Sequence, residues 1–134
     1  MTIGRGHLIG TRVVAVLFAL LALNAVNEVL SMVSGDSDGP LALAALQTLT
    51  GLSATATAFG AWVRARWAPV VAVLYGAVAG AMIVALGPLL DMPAEERGGL
   101  LIGAGVVLLF SLACAAYLRW ALRRSTEPAP TEPA

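Results

Sequence analysis

The sequence predicts an all-α integral membrane protein, four transmembrane helices in an up-down-up-down bundle with both termini cytoplasmic. Three observations carry that expectation. Four apolar runs, at about 8–33, 41–63, 70–90 and 99–122, are each close to the ~20 residues an α-helix needs to cross ~30 Å of hydrocarbon. The 134 residues are 59% hydrophobic and only 12% charged, whereas soluble domains are roughly half apolar and about a quarter charged. The arginines, finally, are segregated between alternate loops.

The first run follows Arg5 and Arg12 and so resembles a secretory signal. It is too long for the usual apolar core of one, and no small-x-small cleavage site precedes the next loop. A retained signal-anchor helix is the expectation. Ser34 to Pro40 is dense in turn formers, and Pro40 suits the first turn of the second helix. That helix sorts its own faces. Gln47, Thr50, Gly51, Ala54, Thr57, Ala58 and Ala61 share one arc at i, i+3, i+4 spacing, with Leu49, Leu52, Ala56, Phe59 and Val63 opposite. Lipid tails give helices no hydrophobic reason to associate, so small and polar residues mark the bundle-facing side. The small arc is expected inside and the leucine arc in lipid.

Arg64 to Pro69 forms the second loop, again with a proline placed to begin a helix. The third helix carries the stripe Ala72, Gly76, Ala79, Gly80, Ile83 and Gly87, within which Gly76 and Gly80 form a GxxxG that permits close backbone approach. Gly87-Pro88 should bend or end it. The fourth helix repeats the device with Gly99 and Gly103, on a face continued by Val106, Phe110, Cys114 and Tyr117. None of the runs alternates with the period of two that a barrel strand requires. Residues 1–124 are therefore read as the membrane domain. The Pro-rich polar tail, 125–134, is expected to be disordered.

Orientation follows from charge. Arg5, Arg12, Arg64, Arg66, Arg119, Arg123 and Arg124 fall on one side and Arg97 alone on the other, which by the positive-inside rule places both termini in the cytoplasm. Asp36, Asp38, Asp91, Glu95 and Glu96 occupy the outer loops, and Trp62, Trp67 and Trp120 cluster at the inner boundary as an interfacial belt does.

The site worth isolating is Asn24, Asn27 and Glu28, because Glu28 is the one charged side chain expected within a span. Asn24 and Glu28 stack on one helix face. Glu28 lies roughly 8 Å inside the outer end of its helix and Gln47 roughly 10 Å inside the next, at 1.5 Å per residue. A polar cluster of Asn24, Asn27, Glu28, Gln47 and Thr50 is the resulting expectation. Two readings of Glu28 stand side by side. Intramembrane carboxylates are costly and by default functional, binding a proton, a cation or a polar head group. Alternatively Glu28 reaches interfacial water or pairs with Arg97, locking the first helix to the fourth.

Catalysis finds little support. Ser53, Ser111 and the threonines have no histidine base within the spans, and His7 and Cys114 are single residues that make no metal-ligand set. Cys114, in an apolar run, reads as a small buried hydrophobe. A formal net charge of zero gives no basic excess for nucleic acid. Membrane lipid and another membrane chain, as a homo-oligomer or a larger complex, are the expected partners, and no cofactor is implied. The Gly51, Gly76, Gly80, Gly99 and Gly103 positions are the expected sites of helix packing.

The span count, cytoplasmic termini and loop Arg64-Ala65-Arg66-Trp67 together resemble the small bacterial four-helix membrane proteins of the DoxX-like type. Four spans with a glutamate in the first also resemble the small multidrug exporters, although there the glutamate is expected near mid-membrane and Glu28 is displaced outward. The first likeness implies the architecture alone; the Gly-lined faces suggest a protein acting by helix association, and a small proton- or cation-coupled carrier built around Glu28 is the alternative.

Overall fold

A computed structural model describes residues 3–35 and 41–126; Asp36 to Pro40 and residues 127–134 lie outside the described residues, as do the side chains of Arg5 and His7. The protein is all-α: α1 (Ile3–Val33), α2 (Leu41–Trp62), α3 (Ala68–Leu89) and α4 (Arg97–Thr126). All four are long and apolar enough to cross a membrane. At 1.5 Å per residue α1 and α4 reach about 45 Å, half as long again as the hydrocarbon layer. Helix α4 runs on through Ser125 and Thr126, where the sequence suggested the tail would begin. Both hydroxyls donate back to carbonyls one turn earlier, Ser125 to Leu122 at 2.9 Å and Thr126 to Arg123 at 2.8 Å.

Three helix ends close in the same manner. The second residue past α1, α2 and α3 takes a left-handed backbone: Gly35 (φ 79°), Arg64 (φ 56°) and Asp91 (φ 50°). After α2 the Ala65 N–H donates to Gly60 O at 2.8 Å and the Arg64 N–H to Ala61 O at 3.4 Å. That is the Schellman pattern, which satisfies two terminal carbonyls and normally employs glycine where Arg64 stands. Pro69 then sits in the first turn of α3, as the sequence led us to expect.

Helix α2 buries the arc foreseen for it. Gln47, Thr50, Gly51, Ala54, Thr57 and Ala61 are buried, joined by Ser53 and Gly60, while Leu49, Leu52, Phe59 and Val63 are exposed. Its hydroxyls do not reach across to neighbouring helices for an oxygen. Thr50 donates to Leu46 O (2.9 Å), Ser53 to Thr50 O (2.9 Å) and Thr57 to Ser53 O (2.8 Å). They are satisfied within their own helix, so their small size rather than their polarity is what the neighbours use.

Helix α3 presents Ala72, Gly76, Ala79 and Gly87 inward with Tyr75. Against α4 the contacts run Gly76 to Ser111, Gly80 to Ala104, Ile83 to Gly103 and Gly87 to Arg97, numbers falling on one helix as they rise on the other. The packing face of α4 differs from expectation. Leu100, Ala104, Val107, Ser111, Ala115 and Leu118 turn inward, whereas Gly99 and Val106 are exposed and Phe110 is partly so. Cys114 is buried as expected and Gly103 and Tyr117 are half-buried, so the inward face keeps part of the expected stripe and extends to the position after each, with Ser111 rather than Phe110 buried at mid-helix. The cause is Ser111. Its Cβ lies 2.5 Å from where a Gly76 Cβ would stand, so the closest approach of α3 and α4 pairs Gly76 with Ser111 and not glycine with glycine.

The core is lopsided. Phe18, fully buried, meets Tyr75 edge-on at 5.1 Å and stacks on Phe110 at 6.1 Å. Around it lie Val14, Ala15, Ala22, Ala54, Ala61, Ala68, Ala72, Ala79, Cys114, Ala115 and Leu118. Most of these belong to the half of the molecule nearer the chain ends and the α2–α3 turn. Contacts are extensive between α1 and α2, α2 and α3, and α3 and α4, but sparse between α1 and α4. The fourth seam is therefore the weak one.

Candidate functional site

The α1–α4 seam is where the polar residues of α1 lie. It is closed at one end by Gly10, whose missing side chain leaves room for the Tyr117 ring and hydroxyl of α4. About two turns further on, Phe18 meets Phe110. Glu28 stands eighteen residues beyond Gly10, which is five turns at 3.6 residues each, and so lies on the same flank of α1. Leu21 and Asn24 fall between them on that flank, Leu21 half-buried and Asn24 exposed. The facing flank of α4, one turn at a time from Tyr117, is Cys114, Phe110, Val106, Gly103 and Gly99.

At the level of Glu28 the two helices have parted. Gly99 has nothing within 4 Å of where its Cβ would be, and Gly103 meets only Ile83 of α3, at 3.8 Å. Val106 is 60% exposed. Asn24, Asn27 and Glu28 are all exposed.

The expected polar cluster is thus divided between two faces. Gln47 and Thr50 are buried on α2, with Thr50 Oγ1 against Met82 Sδ of α3 at 3.9 Å. Ala25 of α1 faces them, set against Gly51 so closely that a Cβ there would lie 3.1 Å from the Ala25 methyl. Since Ala25 points at α2, Asn24 and Glu28 point away from it by roughly 60–100° of helix rotation. The α1–α2 cleft, about 190 Å³, is lined by Ala25, Val29, Gln47, Gly51 and Thr55 rather than by Asn24 or Glu28. Nor does Glu28 lock onto Arg97: among the described residues it forms no ion pair, and Arg97 Nε donates to Met92 O at 3.1 Å with its stem laid over Gly87.

Of the expected packing glycines, Gly51 and Gly76 make close helix contacts, Gly80 an ordinary one at 3.7 Å to Ala104 O, and Gly103 a looser one. The site that sequence reasoning missed is Ser111, fully buried and with its Oγ unpartnered among the described residues. A serine one residue past an apolar phenylalanine in a leucine-rich run was the available signal, since a hydroxyl in lipid is sheltered inside the bundle. Among the described residues no group of histidine, cysteine, aspartate and glutamate side chains is arranged to hold a metal.

Comparison with protein-family models, with curated proteins and with solved structures gives no match to this chain. The functional reading rests on the seam itself.

Proposed function

We propose that the protein is a non-enzymatic four-helix subunit of a bacterial inner membrane that acts by lateral association, with a second copy of itself as the partner, through the open α1–α4 seam. The observation that carries this is the pairing of exposed Asn24, Asn27 and Glu28 on a membrane-spanning helix with an uncovered glycine flank opposite. Amides and a carboxylate facing lipid are unfavourable by several kcal/mol in the hydrocarbon and are met in practice by a partner chain or a water-filled cavity. Asparagine both donates and accepts, so the same amide on two copies is self-complementary across a two-fold axis. The bare backbone at Gly99 gives the approaching helix a place to sit.

The up-down-up-down order with both termini cytoplasmic is part of this reading. Arginines line the end of the bundle holding the α2–α3 turn and the end of α4, and Trp62, Trp67 and Trp120 lie exposed at the same end. Arg12 stacks over Trp62 at 5.4 Å and Arg124 over Trp120 at 5.1 Å, contacts suited to a head-group layer.

Cross-linking tests the reading. In a Cys114→Ala background, single cysteines replace Asn24 on the seam or Leu52, which is 63% exposed on the far side of α2. Disulfide-linked homodimer in native membranes is expected from Asn24→Cys and not from Leu52→Cys. Equal yields at the two positions refute the seam, and a cross-link from Asn24→Cys to a different protein makes this chain an accessory subunit. The same seam supports one other reading, a proton- or cation-coupled carrier, because a dimer would enclose both copies of Glu28. A flux in proteoliposomes that is abolished by Glu28→Gln while cross-linking persists would move the assignment there.

A further inference from the structure

The second polar surface lies at the opposite end of the molecule, beyond the Gly10–Tyr117 junction that closes the seam. Arg64, Arg66, Arg119 and Arg123 line one cleft of about 440 Å³, floored by Leu122 and Pro69. A second cleft of about 280 Å³, lined by Arg64, Arg124, Leu8 and Leu122, adjoins it, so that Arg64 and Leu122 stand between the two. The described carboxylates, Glu28, Asp91, Glu95 and Glu96, all belong to the other end of the bundle. Among the described residues the four guanidinium groups of the larger cleft therefore have no counter-charge.

The backbone at the centre of this cluster is strained, as it is at Asp91 after α3. Arg64 occupies the left-handed position of the α2 cap, where glycine is the favoured residue and an L side chain is strained. The turn is held firmly: Trp67 folds back onto Gly60, whose absent Cβ would lie 2.8 Å from the indole ring. A side chain kept where glycine would be easier, in a rigid turn between two basic clefts, is a cost that its charge explains.

We propose that these adjoining clefts bind the head group of a membrane phospholipid carrying two phosphates, one phosphate in each cleft with Arg64 shared between them. Guanidinium is suited to phosphate by its fork of donors, and basic pockets between membrane helices at the cytoplasmic surface are sites for such head groups. The apolar floor of Leu122 and Pro69, continued by Val70 at 71% exposure, gives the acyl chains a track into the bilayer. The chemistry recognised is a pair of phosphate groups at fixed spacing; the source is the lipid, because apolar residues of membrane-spanning helices line both clefts beside the arginines, Pro69 and Leu122 in one and Leu8, Ala121 and Leu122 in the other.

The test is native mass spectrometry of the full chain in detergent, titrated with cardiolipin, phosphatidylglycerol or phosphatidylcholine. Cardiolipin is expected to be retained over phosphatidylglycerol at matched charge, and phosphatidylcholine not at all. Each arginine removed should weaken retention about fivefold, so Arg119→Gln with Arg123→Gln loses about twenty-five-fold while Arg97→Gln, at the other end, changes nothing. Arg64→Gly is the decisive variant: it should lose retention and yet raise the melting temperature, because glycine suits the backbone there. Equal retention of phosphatidylglycerol, or undiminished retention in Arg64→Gly, overturns the proposal. Displacement of cardiolipin by an equal concentration of inorganic pyrophosphate overturns the lipid as the source.

Discussion

Gly76 and Gly80 form one GxxxG, yet the structure assigns the two glycines opposite responses to the same substitution. A Cβ at Gly76 would lie 2.5 Å from Ser111 Cβ and 2.7 Å from Ser111 Oγ, distances at which α3 and α4 must move apart. Overpacking of this kind costs about 1–3 kcal/mol, against a helix-propensity gain of about 1 kcal/mol for Gly→Ala. Gly76→Ala should therefore destabilise by about 1 kcal/mol on balance. At Gly80 the nearest atoms are Ala104 O at 3.7 Å and its Cβ at 4.0 Å, ordinary contacts. Gly80→Ala should keep most of the propensity gain and stabilise by up to about 1 kcal/mol. The causal partner can be isolated. Ser111→Gly removes both clashing atoms and leaves only Leu108 Cδ1, at 3.5 Å, near the new methyl. In that background Gly76→Ala should become stabilising, which makes the coupling between the two sites about 1–3 kcal/mol in a double-mutant cycle. The assay is equilibrium unfolding in mixed micelles followed by helical circular dichroism, with all four variants in one detergent. If Gly76→Ala is equally stabilising with and without Ser111, the contact is not limiting and the account of how α4 is rotated is wrong.

Other expectations follow from the same geometry. Ser111→Ala removes a buried, unpartnered hydroxyl and should stabilise by about 1 kcal/mol, read in the same unfolding assay; destabilisation would mean that Oγ has a partner. Phe18→Ala empties the centre of the bundle beside Tyr75 and Phe110. In lipid the cavity and lost dispersion remain while much of the transfer term cancels, so a loss of about 3 kcal/mol, the low end for this substitution, is expected. Asn24→Leu and Glu28→Gln alter exposed side chains and should leave monomer unfolding within about 0.5 kcal/mol of the parent. The same pair should abolish the Asn27→Cys homodimer cross-link, and a large stability loss without loss of cross-linking would place these residues inside the monomer fold. Gly10→Leu should displace Tyr117 and separate α1 from α4 at that junction, seen as faster exchange of the amides around Gly10; unchanged protection there would show that the junction carries no packing.

How much was legible beforehand varied from helix to helix. Spans could be read because a hydrocarbon layer dictates length and apolarity and the backbone must satisfy itself. The inward arc of α2 was legible too, since Gln47, Thr50, Thr57 and Gly51 differ in kind from Leu49, Leu52 and Phe59. Helix α4 offers no such contrast. Glycine lies on more than one flank, at Gly99, Gly103 and Gly105, and leucine surrounds all of them. Lipid and protein interior are equally apolar, so periodicity there does not distinguish inside from outside. Only the fit of Ser111 against Gly76 decided the rotation.

The polar residues divide along the same line. Sequence alone determined that Asn24 and Glu28 share a flank, and that Glu28 and Gln47 lie at similar depth, because helical rise and turn are fixed by the backbone. Whether the two helices turn those flanks toward one another depends on which residues touch. Ala25 against Gly51 and Tyr117 against Gly10 set the angle of α1, and that angle carries Glu28 out to the open seam while Gln47 stays within. Relative rotation of packed helices is fixed by the sum of many small contacts between distant residues, and no local pattern in one helix contains it.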